Sequence, residues 1–165
     1  MTKISQQRLR EILNYNPDTG DFTWRLQIAK RAQIGAVAGG LSHTGYVFIR
    51  IEGTAYLAHR LAWLYVHGEW PEGDLDHRDC DPSNNRLSNL RPATPVQNNW
   101  NTRKSKNNTS GFKGVHWANQ AQRWMARIQI NARRVYLGHF DTPEAAHTAY
   151  CDAAREHFGE FARFE

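Results

Sequence analysis

The segment DLDHRDCDPSNNRLSNLRPATPVQNNWN, from Asp74 to Asn101, constrains this chain more than any other. Four carboxylates fall in its first eight residues, and asparagines crowd the remainder. Asparagine weakens helices and strands alike, because its amide offers the backbone competing partners. No long element can run through such a segment. What fits is a short strand from Leu75, a turn at DPSNN, a second short strand near LSNLRPA, and then a helix. The helix starts at Thr94 as N-cap with Pro95 in its first position. Asp76 and His77 then stand on the first strand, and Asn98 stands on the helix.

Neighbours on a strand point to opposite sides, so only a bent or turning strand lets Asp76 and His77 approach one substrate. Asp76 is a hard oxygen donor, and Asn98 offers a neutral carbonyl oxygen. Two such donors, with water and phosphate completing the shell, suit Mg²⁺ better than Zn²⁺. His77, with an ordinary pKa of about 6.5, is able to accept a proton from water at neutral pH. Asn89 can bond backbone on both sides of the turn and hold the strand pair together. Taken singly, a lone histidine is usually structural and a loop asparagine is usually turn chemistry. The combination carries the reading.

The charge is +5 in 165 residues, and its distribution matters more than its size. Residues 1–90 carry ten Lys/Arg and ten Asp/Glu, whereas residues 91–165 carry eleven and six. Between Pro82 and Phe140 there is no acidic residue, yet the span holds Arg86, Arg91, Arg103, Lys104, Lys106, Lys113, Arg123, Arg127, Arg133 and Arg134. A long acid-free basic stretch is the footprint of a polyanion partner. No apolar run approaches the roughly 20 residues of a membrane span. MTKISQQRLREIL lacks the apolar core of a signal peptide, so a cytoplasmic protein is expected. Cys80 and Cys151 are too few for an all-cysteine zinc site and are expected to stay reduced, one in a loop and one in a helix.

The length suits one ordinary domain or two small ones, and the chain divides into three blocks. In the first, SQQRLREIL places Leu9, Ile12 and Leu13 on one helical face behind Ser5, and NPDTGDFTWR reads as a turn before a short strand. Val47, Ile49 and Ile51 alternate with Phe48 and Arg50 up to a turn at Glu52-Gly53, which predicts a hairpin. AHRLAWLYVHG predicts a helix ending at Gly68. The second block is the Asp74–Asn101 segment, followed by the hinge-like RKSKNNTSG. In the third, Trp124, Ala126, Ile128 and Ile130 alternate with Met125, Arg127 and Gln129. After a turn at Asn131-Ala132, Val135 and Leu137 alternate with Arg134, Tyr136 and Gly138. A helix capped by Thr142 carries a stripe of alanines that can lie close on a sheet.

LDHRDCDPSNNRLSNLRPATPVQNNWN resembles the HNH nuclease motif, in the His-Asn-Asn form of phage and intron-encoded homing endonucleases. His77, Asn89 and Asn98 match its three positions, and AHRLAW and YNPDTGDFTWR resemble the leader region of these proteins. The resemblance covers roughly residues 1–101. It implies a ββα-metal (His-Me finger) site in which Asp76 and Asn98 hold one divalent metal, Mg²⁺ or else Mn²⁺, while His77 is the general base and Asn89 orients the loop. The zinc-ribbon cysteines of some HNH proteins are absent, so no structural zinc is expected.

SGFKGVHWANQAQRWMARIQINARRVYLGHFDTPEAAHTAYCDAAREHFG is similar to the Apetala-type (AP2) DNA-binding domain of plant transcription factors. That resemblance implies a three-stranded antiparallel sheet packed on one helix, with the sheet in the DNA major groove. Its DNA-facing positions fall on Lys113, His116, Arg127, Gln129, Arg134 and Tyr136. An acidic position of plant members is Arg127 here and a basic one is Gln129, so their base preference does not carry over.

Arg78, Arg86 and Arg91 flank the motif and are candidate phosphate contacts, with solvated loop arginines as the plain alternative. Arg103 and Lys104 join the basic linker, and His59 in AHRLAW is either a helical structural residue or near the metal. The expectation is an α+β protein with a nuclease module over 1–101, a linker over 102–110 and an AP2-like module over 111–165. It hydrolyses phosphodiester bonds of double-stranded DNA, leaving a 5′-phosphate and a 3′-hydroxyl, as a monomer or weak dimer in a bacterial or phage-infected cell. A fragment ending near Trp100 is expected to keep metal-dependent nicking. The competing class is a DNA-binding regulator with an inactive nuclease fold; an RNA-binding protein lacks its exposed aromatic pair pattern here.

Overall fold

The computed structural model describes residues 3–165; the first two residues of the leader region lie outside them. The described chain is α+β and falls into two compact units, divided between Ala93 and Thr94.

In the N-terminal unit, α1 (Gln6–Ile12) starts where Ser5 Oγ accepts a hydrogen bond from Arg8 N at 3.2 Å. It buries Leu9 and Ile12 completely and runs straight into β1 (Leu13–Tyr15). β1 pairs antiparallel with β2 (Phe22–Trp24) across a turn in which Asn16 Oδ1 accepts from Asp18 N and Thr19 N. Gly20 closes that turn at φ +82°, where a Cβ would lie 2.6 Å from Arg86 N and 2.7 Å from Asn85 C. Only glycine allows this approach, and it brings the first turn against the loop of the Asp74–Asn101 segment.

β3 (Gly40–Leu41), β4 (Val47–Ile51) and β5 (Thr54–Leu57) form a sheet in that order, with the β4–β5 hairpin turning at Glu52-Gly53 as predicted. Ile49 and Ile51 face inward while Phe48 and Arg50 face out. α2 (Ala58–His67) follows at once and ends at left-handed Gly68. Its Leu61 and Leu64 complete a core with Leu9, Ile12, Leu13 and Phe22. β6 (Asp74–His77) and β7 (Leu90–Ala93) make a two-stranded antiparallel pair. The second strand is shorter than the LSNLRPA run predicts, because Leu87–Asn89 form a 3₁₀ turn. That turn tips Asn89 out of the ladder and into the loop.

In the C-terminal unit, α3 (Pro95–Trp100) has the predicted Thr94 cap, with Gln97 reaching back to Thr94 N to close a capping box. β8 (Val115–Ala118), β9 (Arg123–Ile130) and β10 (Arg133–Phe140) form a sheet in the order β10-β9-β8. α4 (Pro143–Phe158), capped by Thr142, covers its apolar face with Ala146, Tyr150, Ala154 and Phe158. Gly114, at φ +78°, lies under Tyr150, and a Cβ there would come within 2.1 Å of Tyr150 Cδ2. α3 folds with this unit: the Trp100 ring stacks on Phe158 with centroids 4.8 Å apart and planes 17° apart.

Strand β10 departs from simple alternation. Tyr136 pairs with Arg127, but Gly138 rather than Leu137 pairs with Ala126. This bulge puts both Leu137 and Gly138 toward the inner face, whereas alternation assigns Gly138 to the polar one. Val135, assigned to the core, is 38% exposed on the edge strand.

Candidate functional site

The β6–β7 register decides where Asp76 and His77 point. Asp76 sits directly opposite Arg91, so the two side chains share one face, while His77 sits opposite Leu90 and faces the other way. Arg91 Nε and Nη2 both reach Asp76 Oδ2 at 2.7 Å, and both residues are 5% exposed. Arg91, a candidate phosphate contact from sequence, is here a buried partner of the carboxylate. Long arginine side chains stay buried only where their charge is matched, and Asp76 supplies the match.

His77 turns toward α2 and the β3–β4 turn. Its ring lies 5.0 Å from the His59 ring at 83°, and 5.9 Å from the Tyr46 ring. Tyr46 also meets His59 at 5.4 Å. His59, the second residue of α2, is 5% exposed, and its Nδ1 is buried without a hydrogen-bond partner. Burial first, then His77 and Arg60, lower its pKa to about 3, so it is neutral. Burial also lowers the pKa of His77, against the opposing pull of a hydrogen bond with Asn85 and of Asp79, Asp76 and Asp81. The site therefore holds two neutral imidazoles and an aromatic ring on one side of β6. His59 had two readings from sequence; buried polar placement at the start of a helix was its only mark.

The loop between β6 and β7 closes on itself. Asn89 Nδ2 donates to Asp79 Oδ1 at 3.0 Å and to Asn84 O at 2.8 Å, while Asn89 Oδ1 accepts from Asp79 N at 3.1 Å. Asn84 Nδ2 reaches the second Asp79 oxygen at 2.6 Å, and Asp79 Oδ1 also takes Asp81 N. These bonds favour the carboxylate, which holds the Asp79 pKa down in spite of burial. Tyr15 Oη donates to Asn85 O at 2.7 Å, tying the loop to β1. Arg86 is exposed and spends Nε on Asp18 O at 2.6 Å, and Arg78 is exposed on the same loop.

Asn98 is half-buried on α3 and belongs to the C-terminal unit, as do the remaining candidates. Arg127 pairs across the strands with Tyr136, and Gln129 with Arg134, so these four stand together on the polar sheet face. His116 on β8 lies opposite Met125 of β9, which lies opposite His139 of β10. The His116 pKa is lowered, by burial first and then by Arg127 and His139. Because of the bulge, His139 shares the face of Tyr136, and Tyr136 Oη meets His139 Nδ1 at 2.7 Å. His139 was missed from sequence, although the isolated glycine in YLGHF is a bulge signal. Lys113, expected on that face, has its ammonium bound to Thr102 O at 2.5 Å and Arg163 O at 3.2 Å. Lys104 Nζ caps Gly111 O at 2.7 Å, and Arg103 is exposed beside it. A cleft of about 850 Å³ runs from Arg127, Gln129 and Arg134 to Asn99 and Trp100 of α3.

Among the described residues, no three His, Cys, Asp or Glu side chains are grouped to hold a metal. The buried Asp76 carboxylate, with amide oxygens further along the motif, has the donor chemistry of a hard cation that keeps water and phosphate as ligands.

A strand pair bearing Asp-His, closed by an asparagine-braced loop and followed by a capped helix bearing Asn, defines the HNH class of nuclease. The HNH endonuclease family matches residues 56–100, and the AP2 domain family matches residues 110–160. The chain belongs to the HNH endonucleases and carries an AP2 domain. It is 36% identical over 107 residues to Protein 3.8 of Escherichia phage T7, covering 64% of this chain and 88% of that protein. It is 33% identical over 123 residues to the uncharacterized HNH endonuclease L560 of Acanthamoeba polyphaga mimivirus, covering 74% of this chain and 63% of that one. A solved structure of the HNH homing endonuclease I-HmuI aligns with 93% of this chain and 83% of its own, at a TM-score of 0.45 and 17% identity. No helix among the described residues is long and apolar enough to cross a membrane.

Proposed function

We propose that this endonuclease hydrolyses phosphodiester bonds of double-stranded DNA with His77 as general base, and that the AP2 unit selects where it acts. The observation that carries the reading is the Asp76-His77 pair, both side chains buried, with His77 wedged against His59 and Tyr46. A buried neutral imidazole is a proton acceptor at neutral pH, and packing on two sides fixes its plane. His77 takes a proton from a water whose oxygen bonds to phosphorus, and the 3′ oxygen leaves with the electron pair of the broken P–O bond and takes a proton from solvent. The products are a 5′-phosphate and a 3′-hydroxyl. Arg91 orients the Asp76 carboxylate through two contacts to Oδ2. Asp76 and Asn98 would hold one divalent cation, Mg²⁺ or Mn²⁺, which supplies charge stabilisation at the phosphate. Asn89 acts by bracing the loop.

On the C-terminal sheet, Arg127, Gln129, Arg134 and Tyr136 read base edges, with His116 beside them, because a twisted sheet with a cationic and amide face fits a major groove. Arg78, Arg86, Arg103 and Lys104 are exposed and supply phosphate contacts. Supercoiled plasmid with Mg²⁺, the wild type beside His77→Ala, tests the proposal. Nicked or linear product from the wild type alone is expected. An inert wild type with Mg²⁺ and Mn²⁺, or an equally active variant, overturns it.

A further inference from the structure

The bulge in β10 decides what the polar face of the C-terminal sheet presents. Strict alternation beyond Tyr136 would turn His139 toward α4 and Phe140 outward. Gly138, at φ +133°, takes up the extra residue instead. Phe140 then packs with Val115, Ala126 and Ala146, and His139 stands opposite Met125 on the face of Tyr136. There the Tyr136 hydroxyl meets His139 Nδ1 at 2.7 Å, with ring centroids 5.3 Å apart. Tyr136 is 56% exposed, so water can satisfy both groups and the bond contributes little to folding. What it does is fix the imidazole. A phenol donates more readily than it accepts, because its oxygen shares a lone pair with the ring. Nδ1 is then the acceptor, and Nε2 carries the hydrogen on the far side of the imidazole. None of β8, β9 or β10 carries a carboxylate to take that hydrogen. Arg127, opposite Tyr136, and His116, across Met125, border the same patch.

We propose that His139 is a specificity-determining residue: Tyr136 holds its ring so that Nε2–H donates to a base edge in the major groove, at a purine N7 or the guanine O6 beside it. Cytosine offers only a donor there and is rejected. A donor already held in one direction loses little freedom on binding. The proposal rests on the sheet reading base edges, as given above. A phosphate oxygen is the competing acceptor, and the test separates the two.

The full chain is used without metal, so that duplex binding is read apart from cleavage. A pool of duplexes with a randomised core gives the base preference of the wild type, His139→Ala, His139→Gln and Tyr136→Phe. The duplex that the wild type selects is then titrated at several salt concentrations. His139→Ala should lose the purine preference at one base pair, keep the others, and bind that duplex roughly 3- to 10-fold more weakly. Its salt slope should not change. Tyr136→Phe should lose preference at the same base pair, and adding it to His139→Ala should cost nothing further there. His139→Gln places an amide donor near the Nε2 position and should restore part of the preference. His139→Ala with wild-type preference at every base pair overturns the inference. So does an equal loss on all duplexes with a lower salt slope, which marks a phosphate contact. So does a lowered melting temperature in both His139 variants that accounts for the weaker binding. A Tyr136→Phe loss at a different base pair overturns the role of the hydroxyl. If the wild type selects no sequence at all, the reading of the sheet fails first.

Discussion

His59 and His77 meet edge to face, their ring centroids 5.0 Å apart and their planes at 83°, with Tyr46 against both rings. One histidine comes from the start of α2 and the other from the end of β6. Their contact is the junction between the main core and the HNH strand pair.

This contact predicts acid sensitivity. The His59 pKa is about 3 in the folded protein against about 6.5 in the unfolded chain. Between those values the unfolded chain binds a proton that the folded protein refuses, so stability falls as pH drops below about 6.5 and the loss ends near 3. The slope is about 1.4 kcal/mol per pH unit for one such group. His59→Phe keeps a ring and removes the proton site, so its urea-unfolding free energy should decline less steeply over that window. Parallel profiles for the two proteins would refute the assignment.

His77→Ala should lower the cleavage rate by roughly 10²–10⁴-fold, the usual worth of a positioned base, and leave duplex binding nearly unchanged. Because burial lowers the His77 pKa, the acid limb of kcat/KM should lie below the ordinary histidine value of about 6.5. A limb above it contradicts the buried, neutral base.

Arg91 distinguishes two roles cleanly. As the buried partner of Asp76, its replacement by Ala strands a carboxylate and should cost about 3–5 kcal/mol in thermal or urea unfolding. As a phosphate contact, it would instead leave stability intact and reduce the salt slope of DNA binding by about one.

Asn89→Ala removes three hydrogen bonds across the loop and leaves Asp79 N and Asn84 O without that partner. A loss of about 1–3 kcal/mol in unfolding free energy is expected. An unchanged melting temperature with abolished cleavage would make its role chemical.

On the sheet face, Arg127→Ala or Arg134→Ala should weaken specific binding by about 1–3 kcal/mol and relax preference at one base pair. Titrations on specific and scrambled duplexes at several salt concentrations decide the point. An equal loss on both duplexes marks a phosphate contact.

Much of this protein was legible in one dimension. Ser5, Thr94 and Thr142 cap their helices, Glu52-Gly53 turns the hairpin, and Gly68 ends α2, because each depends on partners within about four residues. The alternation in β9 placed Arg127 and Gln129 on the polar face for the same reason, since two-residue periodicity is a local property. The HNH and AP2 memberships were legible as well, being carried by residue type and spacing. The tertiary structure decided the rest. Which residue faces Asp76 depends on the β6–β7 register, and a loop of 12 residues between the strands leaves that register open until Asn89 and Tyr15 close it. One bulged residue in β10 reversed the sides assigned beyond Tyr136 and brought His139 to its hydroxyl. The end of α3 meets a partner 58 residues further along the chain, Phe158, on which Trp100 stacks. A six-residue helix has too little buried surface to fix its own place, so long-range contacts decide it.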